Sequence, residues 1–271
     1  VILDRPDRIF MSPDGHGGTL SALKDSGMLD DMTRRKVTTL FYFQVDNPLV
    51  AIADPAFIGL HVLSRSDMSV KVCGKRDPDE GLGVVVKCGG RNMLVEYTEL
   101  TKEQKYARAA DGNLLFNAGS VAIHVFSLAF MKKAAKAHLP MHIAHKKVEF
   151  CDENGTTIKP VAPNAFKFEK FIFDALPLAA RTVILEFKRE DEFSPVKNAA
   201  GNDSPDTARR DMSLKFARWL EQCGVKIPRD GKGVPKRKIE IDPCFANEPG
   251  ELKVKLPAGF KATGDVLLRE K

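Results

Sequence analysis

Apolar runs of strand length alternate along the chain with segments of helical periodicity. Residues 40–45 and 182–187 are largely apolar and rich in β-branched or aromatic side chains, which predicts two buried strands. The first run ends at Asp46, and the pair Asp54-Pro55 then predicts the N-cap and first turn of a helix towards Leu63. Because strands alternate with helices, the pattern indicates an α/β domain with a largely parallel sheet.

Glycine-containing turns predict two hairpins. Residues 83–88 and 92–97 are strand-like and are joined through Gly89-Gly90, while Glu153-Asn154-Gly155 is typical of a second hairpin turn. Residues 127–137 lie between them and have the periodicity of a helix.

The C-terminal third is predicted to hold a long helix and a small separate domain. Thr207 is a suitable N-cap and Gly224 a suitable end for a helix whose apolar face comprises Met212, Phe216, Trp219, Leu220 and Cys223. Strand-like runs follow at 238–241 and 252–256. We therefore predict a first domain of residues 1–225 and a small β-rich domain of residues 226–271.

Composition limits the classes of protein to which the chain could belong. The 271 residues are 43% hydrophobic and 29% charged, which suits a globular fold, and every apolar run is shorter than the roughly 20 residues of a membrane helix. The first residues show no secretory pattern, so a cytoplasmic location without membrane attachment is expected. The cysteines are scattered singly, which predicts reduced structural thiols.

The net charge of +6 does not by itself indicate a nucleic-acid partner. Lysines and arginines are interleaved with acids and cluster only briefly, as at Lys236-Arg237-Lys238, so we expect no nucleic-acid binding. A mildly basic surface equally suits phosphorylated sugars and pyrophosphate. The oligomeric state stays open.

Two segments could bind a ligand, although each also has a plain structural interpretation. The glycines of loop 12–18 would let a base or phosphate approach the backbone, or they form a simple strand-to-helix turn. Asp46 follows a buried strand, where a carboxylate can hold a divalent cation or can merely stabilise the turn. His138, His142 and His145 have ligand-like spacing, but Pro140 interrupts the helix face and favours a polar connection over a metal site.

Seven motifs together resemble the UDP-N-acetylglucosamine pyrophosphorylase family. In the family's order, the chain contains SPDGHGG, VDNPLV with ADPAFIG, GVVV, VEYTE, LLFNAGS, EKFIFD and REDEFSPVKNA, over roughly residues 9 to 213. The resemblance implies a Rossmann-like nucleotidyltransferase fold, with a mixed sheet flanked by helices. It also implies an enzyme that transfers a uridylyl group from UTP to N-acetylglucosamine 1-phosphate, with UDP-N-acetylglucosamine and pyrophosphate as products.

The resemblance assigns the nucleotide and phosphate side of the site. Pro13 and Gly15 match the loop that borders the uridine, and His16 stands where the family usually has asparagine. Histidine can still donate a hydrogen bond from one ring nitrogen, but with a different reach. Asp46 matches the magnesium ligand, which makes Mg²⁺ the expected cofactor. Lys197 matches the lysine on the sugar phosphate, and its ammonium would stabilise negative charge in the transition state.

The resemblance also assigns a sugar pocket. Gly83 matches the backbone approach to the sugar, Glu96 the acceptor for its hydroxyls, and Asn117 the amide on its N-acetyl arm. Tyr97, Phe171 and Phe173 match the aromatic wall around that arm. Taken singly, these residues could be a surface glutamate, a turn asparagine and core aromatics. Phe171 and Phe173 share a face only in an extended segment, whereas Phe168, Phe171, Ile172 and Ala175 have helical spacing.

The family's glycine-rich triphosphate loop, similar to LxGGxGTRLG, has no match in these residues. We therefore expect this chain alone to be inactive as a pyrophosphorylase. Two other interpretations stay open, namely a non-catalytic protein that binds sugar nucleotides and a uridylyltransferase for another hexose 1-phosphate.

Overall fold

A six-stranded mixed sheet forms the centre of the molecule in the computed structural model, which describes residues 2–270. Strand β7 is antiparallel to β3 on one side and to β4 on the other, and β4 is parallel to β12. The hairpin β5–β6 joins β7 at Gly119. The expected mixed sheet is confirmed, but a largely parallel arrangement is wrong because β7 runs against all its neighbours. The strands are β3 (Thr39–Tyr42), β4 (Met68–Gly74), β5 (Val84–Cys88), β6 (Arg91–Val95), β7 (Ala118–Ser127) and β12 (Thr182–Glu186).

Small antiparallel strand pairs lie outside this sheet. β1 pairs with β2, β9 with β10, and β8 with β11, all antiparallel. The pairing of β9 with β10 confirms the turn at Gly155, and the β5–β6 hairpin confirms the turn at Gly89-Gly90. Their bounds are β1 (Leu3–Arg5), β2 (Arg8–Ile9), β8 (His142–Lys146), β9 (Phe150–Cys151), β10 (Thr157–Ile158) and β11 (Ala165–Glu169).

Capping side chains set where the helices begin. Asp54 Oδ1 accepts from the N–H of Ala56 at 2.9 Å, which confirms the predicted start of α3, and Ser127 caps α5. The cap of the longest helix, α7, is Ser204 rather than Thr207, because Thr207 is the third helical residue and completes a reciprocal capping box. The helices are α1 (Gly18–Asp25), α2 (Met28–Arg34), α3 (Pro55–Leu63), α4 (Lys102–Tyr106), α5 (Leu128–Ala134), a 3₁₀ helix (Ile172–Leu178), α6 (Arg189–Glu192), α7 (Pro205–Gln222) and α8 (Pro249–Lys255).

The central sheet separates two apolar clusters. Along β4, Met68, Val70 and Val72 pack with the helices α1, α2 and α5, while Cys73 packs on the opposite face with Phe57 of α3. This alternation follows from the two-residue period of a strand. Burial on both faces fixes the register of the strands that carry the site.

The C-terminal segment contains less strand than the sequence predicts. The run 238–241 contains strand β13 (Ile239–Ile241), parallel to β14 (Val266–Leu268), as expected. The run 252–256 is not a strand, because Pro249 begins helix α8 there and buries Leu252. This segment shares its apolar cluster with Ala217 and Leu220 of α7. The domain boundary near residue 226 stays a prediction.

Across residues 2–270, none of the helices combines the length and the apolar character that crossing a membrane requires.

Candidate functional site

Most of the residues that the sequence singles out line one cleft of about 210 Å³. They come from segments that are far apart in the chain, so the fold rather than local sequence brings them together. The predicted residues in its lining are His16, Asp46, Gly83, Glu96, Tyr97, Phe171, Phe173 and Lys197. Pro13, Gly15 and Asn117 are not in this lining. The cleft therefore unites eight of the eleven predicted residues.

The loop before α1 is held against the segment that follows β11. The N–H of Gly17 donates to the carbonyl of Lys170 at 2.8 Å, and the N–H of Lys170 donates to the carbonyl of Asp14 at 2.6 Å. Gly15 has a φ of +86°, and a Cβ there would collide with the carbonyl of Lys170. Pro13 is exposed at the start of this loop. Glycine at position 15 thus permits the close backbone contact that positions His16.

His16 is a neutral side chain with one fixed tautomer. Its Nδ1 accepts from the N–H of Ile172 at 3.1 Å, so the ring proton resides on Nε2. Burial lowers the pKa of His16 to about 4, against the opposing charge of Glu169. The ring stacks on Phe171 with 5.1 Å between centroids. His16 can therefore offer its Nε2–H as a donor in the cleft.

Phe171 and Phe173, here called the aromatic wall, lie side by side despite their spacing in the sequence. Phe171 is extended, with φ −118° and ψ 138°, and Phe173 follows in the 3₁₀ helix. Their ring centroids are 5.0 Å apart. The helical spacing that includes Phe168 is misleading because Phe168 belongs to β11 and is 52% exposed. The change of backbone conformation at residue 171 lets both rings line the cleft.

Gly83 and Glu96 form a corner of the cleft at the β5–β6 hairpin. A Cβ on Gly83 would lie 2.5 Å from Cδ2 of Leu94 and 3.0 Å from Oε1 of Glu96, so only glycine fits. Burial and the nearby charge of Glu99 raise the pKa of Glu96, against the opposing charges of His142 and Lys197. Tyr97 follows Glu96 and packs over Gly81. The corner presents a half-buried carboxylate beside bare backbone.

Asp46 and Lys197 lie in two loops that are hydrogen-bonded to each other. The N–H of Val196 donates to the carbonyl of Asp46 at 2.8 Å, and the N–H of Lys197 donates to the carbonyl of Asp203 at 2.7 Å. Asn47 reinforces the pairing, since its Nδ2 donates to the carbonyl of Glu192 at 2.7 Å. A carboxylate and an ammonium are thus held at the same edge of the cleft.

A buried ion-pair cluster, which the sequence did not reveal, supports these loops. Lys71 of β4 is 1% exposed, and its Nζ lies 2.7 Å from Oδ2 of Asp54 and 2.5 Å from Oε1 of Glu192. The same Asp54 caps α3, and Glu192 ends α6 just before the loop of Lys197. Lys71 therefore connects the central sheet to both loops.

Asn117 does not line the cleft. Its Oδ1 accepts from the N–H of Lys75 at 2.8 Å, which secures the start of β7 to the residue after β4. The cleft also contains residues that sequence reasoning missed, among them Gln44, Ser120, Ala122 and Phe193. Ala122 has a φ of +57° at a register shift in β7, and no pattern in the sequence signals such a bulge.

Two of the three histidines of the predicted polar connection, His142 and His145, lie on strand β8 in separate environments. His142 lies between two carboxylates, with Nδ1 3.1 Å from Oε1 of Glu99 and Nε2 2.9 Å from Oδ2 of Asp174. His145 stacks on Phe166 with 4.6 Å between centroids. Within residues 2–270, no group of three or more metal-binding side chains is arranged to hold an ion. Any magnesium at Asp46 would accordingly need further oxygen ligands from a substrate and water, as is usual for this ion.

Comparison with known proteins shows what the chain is similar to. The family model of UTP–glucose-1-phosphate uridylyltransferase matches residues 4–203. UDP-N-acetylhexosamine pyrophosphorylase-like protein 1 from Homo sapiens is 44% identical over 84% of this chain and 46% of its own length. UDP-N-acetylglucosamine pyrophosphorylase from Saccharomyces cerevisiae is 34% identical over 85% of this chain and 50% of its own length. The chain thus spans about half the length of these relatives.

A solved structure has the same architecture. The crystal structure of a protein from Entamoeba histolytica, assigned as a UDP-N-acetylglucosamine pyrophosphorylase, superimposes with a TM-score of 0.84 at 33% identity. The match covers 99% of this chain and 66% of that one.

Proposed function

Because the chain belongs to the UTP–glucose-1-phosphate uridylyltransferase family, we propose that it forms the sugar-binding part of a pyrophosphorylase for N-acetylglucosamine 1-phosphate. The proposed reaction with UTP yields UDP-N-acetylglucosamine and pyrophosphate. One observation carries the proposal, namely that a single cleft joins Glu96, the aromatic wall, Asp46 and Lys197. These are a carboxylate for hydroxyls, an apolar surface for a methyl group, and charges for phosphates.

In the proposed reaction, an oxygen of the sugar phosphate attacks the α-phosphorus of UTP, and pyrophosphate leaves with the electrons of the broken P–O bond. The attacking oxygen is already ionised, so the protein needs no general base. The ammonium of Lys197 would lie beside the phosphates and stabilise the charge on their nonbridging oxygens. A magnesium ion held by Asp46 would supply further positive charge at the phosphates.

The remaining residues of the cleft would hold the sugar. Glu96 can accept hydrogen bonds from two hydroxyls, and the aromatic wall can cover the methyl of an acetamido group. His16 stands where UDP-N-acetylglucosamine pyrophosphorylases usually have asparagine. Its Nε2–H offers the hydrogen-bond donor that the asparagine amide would supply. The substitution therefore fits a sugar-nucleotide site.

Direct binding and turnover together test the proposal. We expect titration calorimetry to detect N-acetylglucosamine 1-phosphate and UDP-N-acetylglucosamine on this chain, and pyrophosphate release to require both substrates in the complete protein. Asp46→Asn should reduce turnover and its dependence on magnesium much more than the affinity for the sugar phosphate. Asp206→Asn is the matched control, because Asp206 is exposed on α7.

Two results would contradict the proposal. One is a protein that binds neither ligand. The other is an Asp46→Asn variant whose turnover and magnesium dependence equal those of the wild type. Glucose 1-phosphate, as a parallel substrate, measures how far the acetamido group contributes to recognition.

A further inference from the structure

The carboxylate of Glu80 is almost entirely buried and binds two arginines. Its side chain is 6% exposed, and it accepts from the backbone N–H of Arg76 at 2.8 Å and from Nε of Arg76 at 3.0 Å. Both terminal nitrogens of Arg189 donate to the same carboxylate, with Nη1 3.2 Å from Oε2. Two parallel bonds between a guanidinium and a carboxylate fix the geometry of the pair. Glu80 does not line the cleft, so it acts on neighbouring segments rather than on a substrate.

These two arginines connect Glu80 to both sides of the segment that carries Lys197. On one side, Arg189 is the first residue of α6, which leads into the loop of Lys197. On the other side, Nη2 of Arg76 lies 3.2 Å from Oδ1 of Asp203, and the carbonyl of Asp203 accepts from the N–H of Lys197 at 2.7 Å. The backbone of Lys197 is therefore held from both directions by contacts that meet at one carboxylate.

The backbone of Asp203 is strained where it meets Lys197. Its φ is +53°, a left-handed conformation that aspartate adopts more readily than most residues with a side chain. In this conformation its carbonyl accepts from the N–H of Asn198 at 2.9 Å as well as from that of Lys197. Such strain persists only where surrounding contacts hold it, and it concentrates at functional sites. The contact with Arg76 supplies one of these contacts.

The main chain of Glu80 continues directly into the sugar corner of the cleft. The N–H of Leu82 donates to the carbonyl of Glu80 at 2.8 Å, which folds this segment into a tight turn. Gly81, Leu82 and Gly83 then line the cleft. Glu80 thus joins the sugar corner, through its backbone, to the segment of Lys197, through its side chain.

We infer that Glu80 is a positioning residue that sets the place of the Lys197 ammonium relative to the sugar corner. This inference rests on the proposed function, in which Lys197 stabilises charge on the phosphates. A sugar phosphate extends from the sugar corner to Lys197, so the spacing between them decides whether the ammonium meets the phosphate oxygens. A misplacement of about 1 Å can reduce a rate on the order of a hundredfold.

The first test is Glu80→Gln in the complete protein, assayed by pyrophosphate release from UTP and N-acetylglucosamine 1-phosphate. Glutamine keeps the shape of the side chain but removes the charge that binds both arginines. We expect kcat to fall on the order of tenfold to a hundredfold, while KM for UTP stays unchanged. The same substitution in a Lys197→Ala protein should cause no further loss of kcat, because Glu80 acts through Lys197. A residue that merely supported the fold would lower kcat by the same factor in both backgrounds.

Arg76→Gln is a second variant that carries the test even where Glu80→Gln destabilises the fold. The side chain of Arg76 is 43% exposed, so its replacement should leave the thermal midpoint close to that of the wild type. It removes the contact with Asp203 and should lower kcat about threefold, again only where Lys197 is present. Arg209→Gln is the matched control, because Arg209 is 74% exposed and pairs with Asp206 at 3.5 Å. Its kcat should equal the wild-type value.

The outcomes separate this inference from the proposed function. If wild-type protein turned over and both variants lost equal fractions of kcat with and without Lys197, the inference would be overturned and the proposed function would stand. Wild-type kcat in both Glu80→Gln and Arg76→Gln would overturn it as well. If the wild-type protein released no pyrophosphate from the two substrates, the proposed function would fail and the inference with it.

Discussion

His142 Nε2 lies 2.9 Å from Oδ2 of Asp174, and this contact joins strand β8 to the 3₁₀ helix that carries Phe173. The other ring nitrogen of His142 lies 3.1 Å from Oε1 of Glu99, three residues after Glu96. The imidazole also packs on Phe171, with 4.7 Å between ring centroids. His142 therefore ties the aromatic wall to the hairpin that presents Glu96, without itself lining the cleft.

We predict that sugar binding weakens as the pH rises through the pKa of His142. Burial alone would lower that pKa, but Asp174 and Glu99 raise it above the ordinary value of 6.5 by hydrogen bonding and charge. The doubly paired imidazolium thus stabilises the wall at low pH, and its contribution is lost as pH rises through the raised pKa. His142→Gln should weaken sugar-phosphate binding at pH 6 severalfold and flatten the pH dependence of Kd above 6.5.

His145→Gln controls for this experiment. His145 lies on the same strand and stacks on a phenylalanine, Phe166, that is exposed and does not line the cleft. Its replacement should leave the Kd and its pH profile as in the wild type. If the Kd of His142→Gln varied with pH in parallel with that of the wild type, protonation of His142 would not stabilise the aromatic wall.

Lys71 is predicted to be important for stability as well as for the site. Lys71→Met would leave Asp54 and Glu192 without their shared counterion, and breaking a buried pair on one side costs about 3 kcal/mol. Urea unfolding measures this loss. Lys132→Met is the control, because Lys132 forms an exposed pair with Asp30 that is worth less than about 1 kcal/mol. Equal midpoints for the two variants would contradict the role assigned to Lys71.

The burial of Lys71 also bears on why the sequence did not predict the central strands β4 and β7. Strand β4 was not predicted, although its alternation of apolar and polar residues from Met68 to Val72 is typical of a strand with one exposed face; what this pattern does not show is that Ser69 and Lys71 are buried as well. Strand β7 was missed similarly, since His124 and the bulge at Ala122 break its periodicity. Local patterns register burial only through apolar residues, and here polar side chains are buried in tertiary contacts.

Turn and capping residues predicted the structure better than the apolar pattern did, because turns and helix caps are determined by residues that are close together in the sequence. The start of α3 at Pro55 and the hairpin turn at Gly89-Gly90 follow from backbone preferences that need no distant partner. Most of the cleft was predictable through the ordered motifs alone. Ser120 in the cleft and His142 beside the aromatic wall were not predicted, since their positions depend on contacts with Gly83 and Asp174 that only folding creates.

His16 should make the protein less stable in acid. Its pKa is lowered from 6.5 to about 4, so the unfolded chain binds a proton that the folded chain excludes between these values. Stability is therefore lost as pH falls below 6.5, and the loss reaches about 2 kcal/mol at pH 5. His16→Asn keeps an acceptor for the N–H of Ile172 and removes this titration. We expect the difference in unfolding free energy between pH 7 and pH 5 to shrink by about that amount; parallel curves would contradict the assignment.

For Asn117, the family resemblance and the contacts in the structure indicate different roles. The resemblance places its amide on the N-acetyl arm of the sugar, but its Oδ1 accepts from the N–H of Lys75 at 2.8 Å, outside the cleft lining. Asn117→Ala would remove the nearer of two acceptors of the Lys75 N–H and leave only the backbone carbonyl of residue 117 at 3.3 Å, at a cost of about 1 kcal/mol in unfolding free energy. The distortion should reach the adjoining Gly119, whose partner Val84 begins strand β5 next to Gly83. We therefore expect kcat/KM to fall by a similar factor for N-acetylglucosamine 1-phosphate and glucose 1-phosphate in the complete protein, together with a lower thermal midpoint. A loss confined to the N-acetylated substrate, at unchanged stability, would instead show that the amide turns into the cleft when the sugar binds.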